Sequence, residues 1–151
     1  MMIGFIMANV VSEAEVGKLV AKLLGINLRD VFPHTHGDRH QRIPDAATPV
    51  ERRIFDRGDF RTSIEFTVPN GTGKDFEYAV RAAKLSGCYC LVDDGSDPNP
   101  DHYVLVAPDG TTQDADLDIE ALEDDKNPVF ILRTPVEGGL LTKPDGRTIR
   151  P

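Results

Sequence analysis

An unbroken apolar run, Ile3 to Val11, passes directly into Ser12-Glu13-Ala14-Glu15 and then into Val16, Leu19, Val20, Leu23 and Leu24 at helical spacing. The apolar run is short and reads as a strand covered on both faces. Ser12 suits the N-cap of a capping box, with Glu15 three residues on to reach back. Gly25 follows the last apolar residue as a helix stop. A strand tied this closely to an amphipathic helix must lie under it, so the chain opens with a sheet that carries a helix on one face.

The same reasoning extends along the chain. Residues 26–49 read as irregular, with Pro33, Pro44 and Pro49 and three of the four histidines; a connection this long in a compact domain is often functional. Val50 to Arg57 and Phe60 to Val68 read as two strands joined by a tight reversal at Gly58-Asp59. In the second of them Ile64, Phe66 and Val68 alternate with Glu65 and Thr67, as in a half-buried strand. Residues 69–73 break the chain. The spacing of Phe76, Ala79, Val80 and Ala83 predicts a second helix over 75–86, ended by Gly87. Cys88 to Val92 is apolar on both faces, which places it inside a sheet. His102 to Ala107 predicts a further strand, Asp116 to Asp124 a short acidic helix, and Val129 to Arg133 a last strand.

Strand, helix, strand, strand, helix, strand is the split βαβ order of a ferredoxin-like α+β fold. The added strand, helix and strand would extend that sheet past its fourth member. At 151 residues, with 40% hydrophobic content, the chain fits one domain. We place that domain at 1–134 and a peripheral tail at 135–151, where a turn signal at 143–147 suits a small hairpin.

Charge is distributed unevenly. Between Leu85 and Asp125 there is no Lys or Arg, yet twelve carboxylates stand between Asp93 and Asp125, against a net charge of −8 for the whole chain. Like charges this dense weaken the compact state by repulsion. Residues 26–61 instead interleave seven arginines with six carboxylates. The net charge argues against generic nucleic-acid binding, which draws on Lys and Arg, and against docking on anionic lipid. No apolar run reaches the roughly 18 residues that a membrane span needs, and the apolar start lacks a basic region before it. Cys88 and Cys90, two apart, are poorly placed for a disulfide with each other. Together these point to a cytoplasmic protein.

Several residue groups are candidates for chemistry. His34-Thr35-His36-Gly37-Asp38-Arg39-His40 resembles the His-x-His-x-Asp-His run of metallo-β-lactamase-fold hydrolases, in which the histidines and the aspartate hold two zinc ions. Arg39, however, separates Asp38 from His40, where that family has them adjacent, and the resemblance ends with this run. The run reads first as a solvated polar loop; the alternative is a bare zinc site of His34, His36 and His40 with a fourth position open to water. Asp93, Asp97, Asn99 and Asp101 offer oxygens to a hard cation, without the EF-hand pattern. Cys88 and Cys90 read as small buried fillers. Gly71-Thr72-Gly73-Lys74 precedes a helix but lacks P-loop spacing. Arg57-Gly58-Asp59 reads as a hairpin turn, and no nucleophile motif occurs.

The expectation for function is a small acidic interaction protein that binds and inhibits a basic protein partner, as immunity and anti-defence proteins do, its acidic face mimicking nucleic acid. Asp93, Asp94, Asp97, Asp101, Asp116, Asp118 and Glu120 would dock the partner. Two alternatives stand beside it: a zinc-dependent hydrolase built on His34, His36 and His40, and a structural subunit of an assembly such as a virion.

Overall fold

The computed structural model describes residues 2–37, 43–68, 74–93, 102–123, 127–134, 141–142 and 148–149. The chain is α+β. Strand β1 (Met2–Met7) leads into helix α1 (Glu13–Leu24), a short 3-10 turn (Leu28–Asp30), and strands β2 (Val31–Thr35), β3 (Thr48–Ile54) and β4 (Thr62–Thr67). Helix α2 (Asp75–Ser86) precedes β5 (Cys90–Val92), β6 (His102–Val106), β7 (Thr112–Asp116) and the single-turn α3 (Ile119–Leu122). Two two-residue strands, β8 (Leu141–Thr142) and β9 (Thr148–Ile149), pair antiparallel on either side of 143–147.

Seven strands form one sheet in the order β2-β3-β4-β1-β5-β6-β7. Every pairing is antiparallel except β2 with β3. The four strands expected for the split βαβ core are therefore consecutive, as β3-β4-β1-β5, and β6 extends the sheet past β5 as expected; β7, at residues read as a connection, takes the place beyond β6 instead of 129–133. β5, between β1 and β6, is buried along its length.

Ser12 accepts a hydrogen bond from the Glu15 amide at 3.2 Å and caps α1. Gly25 and Gly87, both left-handed, close α1 and α2. The core lies between these helices and one face of the sheet: Ile3, Phe5, Met7, Val50, Ile64, Phe66, Cys90 and Val92 meet Val16, Val20, Leu23, Ala79, Ala82 and Ala83. Burying a side chain such as Phe66 is worth about 2–3 kcal/mol.

Four sequence expectations differ from the structure. Residues 31–35, read as irregular, form β2; Pro33 is tolerated because β2 is an edge strand, where a missing N–H loses no essential ladder bond. Phe76 is exposed rather than buried; α2 turns its alanines to the sheet, and Tyr78 packs edge-on against Phe66 at 5.7 Å. The acidic segment expected as one helix over 116–124 is split. Its first residue ends β7, and Asp118 then caps the short α3 through the Ala121 amide. Residues 129–133 make isolated bridges, Phe130 to Phe60 and Leu132 to Leu117, instead of a continuous strand.

Asp59 explains how that last segment is held. It is one of two buried polar residues among those described, the other being Thr62. Its Oδ2 accepts the Leu132 amide at 2.8 Å, and its own amide donates to the Phe130 carbonyl at 2.7 Å. The neighbouring Gly58 has φ 103°, and a Cβ there would stand 3.0 Å from the Phe130 carbonyl oxygen. Only glycine permits this close approach.

Candidate functional site

Strand periodicity sends alternate side chains to opposite faces. Phe66 meets Tyr78 of α2, so Ile64 and Phe66, with their partners Phe5 and Ile3, face the helices. Ser63 and Glu65 therefore point to the far face. The register carries this assignment across the sheet. In one transverse row Glu51 opposes Glu65, and Glu65 opposes Gly4. Continuing the β1–β5 register by two residues and the β5–β6 register by one brings Asp93 beside Gly4 and Tyr103. In the next row Arg53 opposes Ser63, Ser63 opposes Ile6, and Ile6 opposes Leu91.

These residues line a cleft of about 340 Å³ on the far face, with His36 at the β2 end and Phe55, Tyr103, Pro128 and Phe130 as its apolar parts. Phe55 and Phe130 stack at a tilt, 5.1 Å between ring centres. The Arg53 guanidinium lies over the Phe55 ring at 5.2 Å. His36 Nδ1 is 3.2 Å from Glu51 Oε1. Burial, and then the negative charge of Asp93, push the Tyr103 hydroxyl above its usual range. Three carboxylates, Glu51, Glu65 and Asp93, stand against the one guanidinium of Arg53 and leave the cleft net negative, and its aromatic walls suit a flat cationic group.

The acidic stretch occupies the other end of the sheet. Asp114 and Asp116 are exposed on β7 and point to the helix side, because Asp114 opposes Val104, which opposes the core residue Val92. Asp93, from the same stretch, is on the far face. Among the described residues the acids thus occupy both faces of the β5–β7 end rather than one. Asp118 bonds to Arg133 and caps α3; the Ala121 amide, and next the Arg133 guanidinium, hold its carboxyl below the usual range. Asp109 accepts from the Thr111 hydroxyl and amide at 2.6 and 2.9 Å, and is likewise lowered. Glu120 and Glu123 are exposed. Asp94, Asp97 and Asp101 lie outside the described residues.

His34, on β2, opposes Glu51 and so stands on the far face, and His36, just past β2, reaches Glu51 there; His40 lies outside the described residues. Among the described residues no group of three or more His, Cys, Asp or Glu is arranged to hold a metal ion. The thiols of Cys88 and Cys90 are buried and unpaired with each other, and desolvation pushes both above the usual range. Such thiols are inert fillers rather than nucleophiles. Among the described residues no helix is long and apolar enough to cross a membrane.

Sequence reasoning did not single out Glu51, Glu65, Gly4 or Tyr103. Their one signal was the alternation of Ile64, Glu65 and Phe66, which set Glu65 on the face away from the core. Comparison with protein-family models, with curated proteins and with solved structures gives no match.

Proposed function

We propose that the chain is a small acidic interaction protein that binds a basic protein partner in the cytoplasm and inhibits it, its carboxylates standing in for the phosphates of nucleic acid. The observation that carries this reading is the Lys- and Arg-free stretch from Leu85 to Asp125, whose described members Asp93, Asp114, Asp116, Glu120 and Glu123 are exposed. Their mutual repulsion disfavours the free protein. A cationic surface brought against them relieves that repulsion and is steered to them by the long-range field. Asp93, Asp116 and Glu120 dock the partner in this reading, with Asp94, Asp97 and Asp101 continuing the acidic run. Asp118 serves mainly to hold Arg133 and α3.

Titration with poly-L-lysine, a basic probe without tertiary structure, tests the charge premise. Binding is expected to weaken at least tenfold between about 25 and about 250 mM salt, as the screening length shrinks. The combined variant Asp116→Asn, Glu120→Gln, Glu123→Gln should bind more weakly at low salt and show a shallower salt dependence. Affinity that is flat with ionic strength, or unchanged in the variant, contradicts the reading.

A further inference from the structure

We propose that the far-face cleft is a seat for an arginine side chain of the basic partner; this rests on the reading that the partner is a basic protein. The first support is the register. Glu51 and Glu65 stand directly opposite each other on neighbouring strands, and like charges so placed destabilise a sheet. Asp93 extends the same row beyond Gly4, so three carboxylates line one transverse track.

The second support is shape. Gly4 has no side chain, which leaves a notch between Glu65 and Asp93. Two strand spacings separate those residues, about 10 Å. A planar guanidinium carries five donors in a fixed fork and can reach carboxylates on both sides of such a notch, whereas an ammonium is a point charge on a narrower stem.

The third support is the wall. Tyr103 stands at one end of the row, half-buried, and Phe130 lies alongside. The chain already places one guanidinium on an aromatic ring of this face, Arg53 over Phe55. A second one entering the notch would meet an aromatic ring and carboxylates on either side. At about 340 Å³ the cleft is at the small end of ligand sites, which suits one inserted side chain.

The test compares hexa-arginine with hexa-lysine, titrated at low salt against the intact protein. Wild type should favour hexa-arginine by about tenfold, the difference that stacking and forked hydrogen bonding supply. Glu65→Gln should abolish that preference while leaving hexa-lysine affinity within about twofold, since most of the acidic field remains. Gly4→Ala should abolish it too by filling the notch; its Cβ would lie 3.4 Å from Glu65 Cγ, an ordinary contact, so folding is retained. Equal affinity of wild type for the two peptides, or a preference that survives both substitutions, overturns the arginine seat and leaves the acidic interaction reading standing. Failure of both peptides to bind at low salt overturns that reading and the seat together.

Discussion

At the β2–β3 end of the sheet, Arg52 donates to the Val11 carbonyl at 2.8 Å and to the Thr35 hydroxyl at 2.8 Å, and Thr35 in turn donates to Glu13 of α1. At the β7 end, Asp114 and Asp116 stand exposed on a strand whose one buried side chain is Ala115. Both ends are rich in charge, but they use it differently. Arg52, from the stretch of interleaved charges, ties the β1–α1 connection, β2 and β3 together, so its charge is part of the fold. In the 85–125 stretch, Asp109 and Asp118 draw mainly on backbone amides and a hydroxyl. That stretch holds no Lys or Arg of its own, and Asp114 and Asp116 stand at an edge where side chains reach water.

That contrast can be broken at its joint. Asp59 is where the β3–β4 turn grips the segment that follows the acidic stretch. Asp59→Ala removes the acceptor of the buried Leu132 amide and should lower stability by about 2–3 kcal/mol, read as a lower urea midpoint. Asp59→Asn keeps an acceptor and should lose less. Equal losses would mean that the charge of Asp59, rather than its acceptor, is what matters.

The next effect sharpens the β2–β3 side. Arg52→Met keeps much of the side chain's bulk and deletes its donors to Val11 and Thr35. A loss of about 1.5 kcal/mol is expected, again by urea unfolding. No loss would show that the network is incidental, and the two ends would then not differ as described.

A smaller effect belongs to Asp118. Its folded carboxyl is held below the ordinary value of 3.8, so the stability it contributes is present in full above that value. It is lost as pH falls through the depressed folded value. Melting temperatures of wild type and Asp118→Ala should therefore differ by a constant amount at neutral pH and converge in acid. A difference that grows on acidification would contradict the assignment.

Much of the architecture was legible because it is written locally. The Ser12 cap, the left-handed Gly25 and Gly87, and the apolar run through Cys90 to Val92 each follow from one short segment. What stayed hidden depends on partners far along the chain. β2 contains Pro33 and His34 and shows no alternation; it is a strand because β3 offers it a parallel edge. β7 is polar at four of five positions and pairs because β6 lies beside it. The cleft was illegible for the same reason: Glu51, Glu65, Gly4 and Asp93 align only once three registers are fixed, and none of those registers can be read from spacing.

The most direct measurement of the central claim, that the carboxylates of the β7–α3 end repel one another in the folded protein, is thermal stability against ionic strength. It compares wild type with Asp114→Asn, Asp116→Asn, Glu120→Gln, Glu123→Gln. Wild type should gain stability as salt screens its repulsion; the amide variant should start higher in low salt, by about 2–5 °C, and change less. A variant that melts lower than wild type in low salt, or a wild type that loses stability as salt is added, would contradict the account.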